Sequence, residues 1–517
     1  MTASRRRSGI IIPLFSAPSD TSWGIGDIGD VRHVTEWLAA AGQTVLQLLP
    51  INEMAAGQQS PYSAISAMAI DPIYLNVDEI PEFAAEGGTS AFDAEERAAL
   101  ERVRRSSTVQ YETIRALKER ALRIAVKRFV AEEIRRGTAR AQSFAMFLAE
   151  QAWWLQEYAL FRAIHAHERG KPWTEWPSGL RQREKPALAD ARYALADEVV
   201  FRQYVQWLAH SQWNAAHAAA ISQGVALFGD LPFMVDGDSA DVWARQDQFL
   251  LDASLGVPPD AFSDTGQDWG MPVYRWSALA ADGFGWLRDR ARRTADLYDG
   301  YRVDHLVGFY RTYGRPRDGR TPFFTPPSEP EQIALGETLM RIFAGAGAEI
   351  IAEDLGVVPD CVRESLARLG IPGFRVFRWE RYWHTEEQPF IDPQDYPVAS
   401  VATSGTHDTE TMMVWWETAK ESERQQVRAL RTVRSIAADE EGGDRDRLLQ
   451  ALMASASQLA LFPVQDVFGW RERINEPATV NDSNWTFRLP WPSNRLDEFA
   501  GERQSALRAW AEHYRRI

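Results

Sequence analysis

Apolar runs of strand length, separated by stretches whose apolar residues recur every three or four positions, organise this chain. SGIIIPLFS (residues 8–16) and VLQLLP (45–50) are two such runs, with a helix-like span at 31–41 between them. Strand, glycine-rich loop, amphipathic helix and strand in that order predict a βαβ unit with parallel strands. The loop sequence WGIGDIG lacks the GxGxxG spacing and the downstream acid of a dinucleotide site. SPYSAISAMAIDPIYL (60–75) reads as a long loop. From about residue 92 to 213 the texture is helical almost without strands, as in RALKERALRIAVKRFVAEEIRR and WWLQEYALFRAIHAH, with Pro172, Pro177 and Pro186 breaking it into pieces.

Alternation then resumes. ALFGDLPFMV (226–235), GYRVDHL (300–306), EIIAEDL (349–355), GFRVFRWE (373–380), ASVATSGTHD (399–408) and PVQDVFGW (463–470) are strand candidates, and helical spans separate most of them. With the two N-terminal runs they make eight. Eight strands alternating with helices predict an α/β fold, a (β/α)₈ TIM barrel whose active site lies at the carboxyl ends of the strands. The pattern divides the chain into residues 1–85 with the first barrel strands and an active-site loop, a large and mainly helical insertion at 86–215, and the rest of the barrel with loop subdomains at 216–517. No separate carboxyl-terminal β domain is expected.

Composition narrows the function. A formal net charge of −15 disfavours nucleic acid or an anionic membrane as partner, because both are repelled. The basic run at 5–7 is followed by an apolar segment too short for a signal sequence or a membrane span, so a cytoplasmic setting is expected. One cysteine, Cys361, excludes an internal disulfide, and the nine histidines form no metal-binding spacing. No cofactor is expected. The 20 Trp, 14 Tyr and 24 Phe supply flat apolar faces for a large core or for stacking on sugar rings.

Candidate chemistry centres on residues 299–311, DGYRVDHLVGFYR. On a strand, Arg302 and Asp304 share a face, and a guanidinium beside a carboxylate favours its ionised form, as a nucleophile needs. A structural ion pair has the same pattern. The barrel supplies the discriminating demand, because acids at successive strand ends converge: Asp304, the Glu353–Asp354 pair and Asp408, with Asp230 after the third candidate. Clustered carboxylates push their pKa values apart and leave one protonated, the arrangement used to cleave a glycosidic bond. Periodicity leaves open whether Glu353 or Asp354 faces inward, since both faces of a barrel strand are buried.

DGYRVDH, EIIAEDL and SGTHD resemble the nucleophile, general-acid and His–Asp motifs of the α-amylase clan. The chain as a whole, through SWGIGDIGD, SPYSAISAMAIDPIYL, GDLPFMVDGDSADVW, GVPPDAFSDTGQDWGMPVYRW, QDVFGW and INEPATVNDSNWTFR, resembles the amylomaltases, 4-α-glucanotransferases of glycoside hydrolase family 77. The resemblance implies Asp304 as nucleophile, Glu353 as acid/base and Asp408 as the carboxylate that grips sugar hydroxyls. It also implies substrate contacts from Tyr62, Asp230, Arg302 and His407, an acceptor-side loop carrying Gln267 and Trp269, and a late pair, Asn484 and Trp485. The implied substrates are maltooligosaccharides, maltodextrin or glycogen-type α-glucans. The implied reaction is a retaining double displacement with the Asp304 and Glu353 carboxyls about 5 to 5.5 Å apart. An α-glucan hydrolase, or a silent glucan-binding protein, is the alternative. The family's RIDHFRGF, GQRWGNP and GTHDND read RVDHLVGF, GQDWGMP and GTHDTE here.

Overall fold

Twelve strands are present in the computed structural model, which describes residues 6–259, 266–436, 443–477, 479 and 481–517. They are β1 Arg7–Ile11, β2 Val45–Gln47, β3 Ala226–Leu231, β4 Phe249–Val257, β5 Gln267–Tyr274, β6 Gly300–Val303, β7 Thr312–Pro316, β8 Phe323–Thr325, β9 Glu349–Ala352, β10 Gly373–Val376, β11 Ser400–Thr403 and β12 Leu459–Pro463. Eight of them close a barrel in the order β1-β2-β3-β6-β9-β10-β11-β12, and β12 pairs with β1 in parallel. The interior is filled by Ile11, Val45, Phe228, Ile351, Phe374, Val401, Leu459 and Leu461. Arg7 closes the N-terminal mouth, 2.7 Å from Glu349 and stacked 5.6 Å from the Phe228 ring centroid.

The barrel matches the eight alternating segments, with one change of strand. The eighth is LALFP (Leu459–Pro463), and most of the expected PVQDVFGW strand is instead the helix Val464–Phe468. Leu459 and Leu461 face inward while Ala460 and Phe462 join the outer core, so the true strand is a continuous apolar run. Val464 and Val467, three apart, suit the helix that Pro463 caps. The other strands are shorter than their apolar runs: β6 stops at Val303, and β11 at Thr403, because His305 turns left-handed (φ 42°) and Thr406–Thr409 forms a turn.

Between β2 and β3 the described residues form helices and loops without a named strand. Longest are Tyr111–Arg128, Ala152–His167 and Ala196–Ser222, and Pro172, Pro177 and Pro186 stand at helix starts, where a missing N–H costs nothing. A second sheet was not legible from the apolar runs. It is antiparallel, in the order β5-β4-β7-β8, and it is built from the insertions that flank β6. No helix among the described residues is long and apolar enough to cross a membrane.

Candidate active site

Strand register decides which residues meet above the barrel. Phe228 points inward on β3, so Asp230 does too; Gly300 and Arg302 share the inner face of β6. Asp304 follows directly, its N–H donating to the Leu231 carbonyl at 3.1 Å. Ile351 lies in the barrel interior and Glu353 shares its face, with its N–H on the Val303 carbonyl at 3.1 Å. Asp354 turns outward instead, accepting from the Phe374 N–H at 2.7 Å and lying 3.2 Å from Arg375. The geometry thus separates the two acids that periodicity left equivalent.

Past Asp304, His305 starts the short helix Leu306–Tyr310, and its N–H donates to Glu353 Oε2 at 2.7 Å. Gly308 is required there, because a Cβ would stand 2.6 Å from His305 Cδ2 and 2.8 Å from Phe233 Cζ. The His305 ring is held edge-on between Phe233 and Trp269, at 5.4 and 4.8 Å, and burial lowers it to about 4, which leaves the imidazole neutral.

Phe233, Trp269, Arg302, Asp304, His305 and Glu353 line one cavity of about 650 Å³. Arg302 is its electrostatic centre. Its Nη1 lies 2.6 Å from Asp230 Oδ2 and 2.9 Å from Asp304 Oδ1, and Nη2 lies 3.8 Å from Glu353 Oε2. Burial works against that charge, but Asp230, then Asp304, Tyr62 and Glu353, hold the guanidinium well above its usual range. Glu353 is pushed up to about 8, first by burial and then by Asp304 and Asp408, against the pull of Arg302. Asp408 goes the other way. Burial raises it, but His407, with Nε2 at 3.2 Å, Asn475, donating at 2.7 Å, and Arg302 bring it down to about 2. Two carboxyls facing one cavity are therefore split, one holding its proton at neutral pH and one ionised.

Of the residues expected from the sequence, Tyr62, Gln267, Trp269, Arg302, Asp304, Glu353, His407, Asp408 and Trp485 line the cavity. The Tyr62 ring stacks on His407 with centroids 5.1 Å apart, and Trp269 Nε1 donates to Gln267 Oε1 at 3.1 Å. Asp230 sits behind the wall, holding Arg302 and the Tyr62 hydroxyl (2.7 Å). Asn484 does not reach the cavity. Its Oδ1 accepts from the Glu476 N–H at 2.9 Å and its Nδ2 donates to the Thr479 carbonyl at 3.1 Å, so it pins the loop. Parts of two motifs, residues 260–265, 478 and 480, lie outside the described residues. Asn475, His305, Asp268 and Glu476 line the cavity and were not singled out in the sequence. Asn475 and Glu476 stand in the INEP stretch, yet only the fold brings that loop against Asp408. Among the described residues no cluster of His, Cys, Asp and Glu is arranged to hold a metal.

Fold and site together define a (β/α)₈ enzyme whose cavity gathers carboxyl groups beyond the strand ends, a grouping suited to glycosidic bonds. Residues 12–494 match the family described as 4-alpha-glucanotransferase, and the chain belongs to it. A 4-alpha-glucanotransferase of Thermus thermophilus is 34% identical over 528 residues, covering 99% of each chain. One from Chlamydia pneumoniae is 33% identical over 502 residues, covering 93% of this chain and 91% of its own. Among solved structures, the amylomaltase of Streptococcus agalactiae in complex with acarbose is similar with a TM-score of 0.84 at 28% identity, over 99% of this chain and 100% of that one.

Proposed function

We propose that this protein is a 4-α-glucanotransferase that moves α-1,4-glucan segments between maltooligosaccharides, maltodextrin or glycogen-type glucans by a retaining double displacement. The observation that carries the reading is Glu353, with its pKa raised to about 8, sharing one cavity with Asp304, which is ion-paired to Arg302. Glu353 gives its proton to the glycosidic oxygen while Asp304 attacks the anomeric carbon from the opposite face. The C–O bond to the leaving sugar breaks and a glycosyl–Asp304 ester forms. Glu353, now a base, takes the proton of an incoming 4-hydroxyl, whose oxygen displaces Asp304. The new bond has the original configuration.

Asp408, ionised at neutral pH, accepts hydrogen bonds from sugar hydroxyls that strengthen as the ring distorts. Arg302 stays charged throughout and balances the Asp304 carboxylate before the ester forms and again once the incoming sugar has displaced it. Tyr62 and His407, already stacked on each other, offer an apolar platform to the donor sugar, and Trp269 with Gln267 lines the acceptor side. Transfer outcompetes hydrolysis when a bound sugar displaces water at that side.

Incubation with maltotriose tests the reading. A ladder of shorter and longer oligomers is expected, and reducing ends rising in step with bond loss would mean a hydrolase. Asp304→Asn should abolish the ladder. Glucan binding without turnover in both proteins would mean a silent binder.

A further inference from the structure

Behind the catalytic cavity lies a second, much smaller one, of about 10 Å³, whose lining includes Asn52, Asp230, Arg290, Arg293 and Tyr298. Three of these residues carry a buried polar atom with no partner: Oδ1 of Asp230, Nη1 of Arg293 and the hydroxyl of Tyr298. The residues are 3%, 1% and 4% exposed. One unpaired acceptor, one unpaired cationic donor and one hydroxyl that can do both thus belong to residues lining a space the size of a single water, which needs two to four polar partners. Leaving such groups unpaired in a protein interior is costly.

The placement of Tyr298 is built in. A Cβ on Gly229 would stand 2.3 Å from the Tyr298 ring, so only glycine lets the ring lie against β3 beside Asp230. Trp213 packs edge-on against the ring at 5.4 Å and is tied to the Leu297 carbonyl by its Nε1 at 2.8 Å. Arg293 anchors its Nε on the Met68 carbonyl at 2.9 Å and leaves Nη1 without a partner. In the GDLP motif the glycine makes room for the ring, and the aspartate lines the same small cavity as the tyrosine.

We propose that one ordered water fills this small cavity, bridging Asp230 Oδ1, the Tyr298 hydroxyl and Arg293 Nη1, and that Tyr298 and Arg293 are positioning residues for the reaction. They act through Asp230, whose other oxygen holds Arg302 Nη1 at 2.6 Å and the Tyr62 hydroxyl at 2.7 Å. The same Arg302 nitrogen holds Asp304 at 2.9 Å. A carboxylate fixed at both oxygens cannot swing, so Arg302 stays aligned on Asp304.

The groups facing Asp230 are Arg302 from β6, Asp304 just after it, His407 from the loop after β11 and Tyr62 on one side, with Arg293, Tyr298 and Arg290 on the other. Tyr74 stands beyond Tyr298. Burial raises Asp230 to about 6 in spite of Arg302. A water donating to Oδ1 favours the ionised form, so its loss raises the acid further and the ionised form is reached only at higher pH.

The inference rests on the glucan-transfer reading above, and the test separates the two. Tyr298→Phe keeps the ring on Gly229 and removes only the hydroxyl. Its acid limb of kcat/KM for maltotriose disproportionation should move up by about 0.5 to 1 pH unit, with about a 3- to 10-fold loss near pH 5.5 that vanishes by pH 8. Trp213→Phe loosens the same ring but keeps the hydroxyl, and should leave the limb in place. A high-resolution crystal structure of the wild type should show the water on the three named atoms, and that of Tyr298→Phe should lack it. Coincident wild-type and Tyr298→Phe profiles, an equal shift in Trp213→Phe, or a wild-type crystal without that water would overturn the proposal. A wild type that makes no oligomer ladder would sink the functional reading instead, and the crystallographic water decides the placement independently of activity.

Discussion

Replacing Glu353 by glutamine should abolish transfer and yet stabilise the protein above neutral pH. Glu353 is raised from the usual 4.5 to about 8, chiefly by burial, and its side chain is 15% exposed. The folded state therefore holds a proton that the unfolded chain releases. Below pH 4.5 both states are protonated and the group makes no difference. As pH climbs from 4.5 to 8 the unfolded state is increasingly favoured, by roughly 1.4 kcal/mol per unit, to at most roughly 5 kcal/mol above pH 8. Glutamine is neutral at every pH and its carbonyl oxygen still accepts the His305 N–H. The variant should thus match wild type near pH 5 and gain stability steadily towards pH 8. Cooperative unfolding of 517 residues carries an entropy of about 1.1 kcal/mol/K, so the gain corresponds to about 4 °C in Tm at pH 8. Thermal melts of both proteins from pH 5 to 9, in buffers of matched ionic strength, read it directly. A Tm difference that stays flat across that range would refute the reasoning, since a carboxyl with an ordinary pKa gives no slope above pH 5.5. The kinetic counterpart is a basic limb of wild-type kcat/KM near pH 8, where the acid loses its proton.

Other outcomes follow from the same geometry. Arg302→Lys replaces a planar fork that reaches Asp230, Asp304 and Glu353 with a single ammonium, and should lower kcat/KM about 10² to 10³-fold in the maltotriose assay. Gly308→Ala forces a methyl into His305 and Phe233; a loss of about 1 to 3 kcal/mol by urea unfolding is expected, with reduced turnover, because His305 anchors Glu353. Trp269→Ala should raise the ratio of hydrolysis to transfer, seen as glucose and reducing ends at the expense of long oligomers. Arg7→Ala, at the opposite mouth of the barrel and partly exposed, should cost under about 1 kcal/mol and leave turnover unchanged.

The barrel was legible in the sequence because its strands are buried on both faces and stand out as apolar runs between amphipathic helices. The exception is instructive. QLALFPVQDVFGW holds two apolar patches, and the pattern alone favoured the second, whereas barrel closure against β1 selects the first. The antiparallel sheet is not legible in the sequence, because β4 and β5 carry their polar residues, Asp252, Ser254 and Asp268, among apolar ones, and because pairing in insertions depends on partners distant in sequence.

For the site, the sequence by itself determined the chemical inventory: acids placed just after apolar runs, an arginine two residues before one of them, and aromatics outside the barrel strands. It also set the face shared by Arg302 and Asp304, because that follows from a two-residue period. Only the tertiary structure decided that Glu353 faces inward and Asp354 outward, since that depends on how β9 is rotated within the closed barrel. The same holds for proton affinities. Neighbouring acids alone promised a raised pKa at Glu353, but its largest cause is burial, a property that segments far apart in the chain create together. Asn475 against Asp408 and Tyr298 behind Asp230 belong to this second class: no spacing along the chain marks them, and each acquires its part only when the barrel closes.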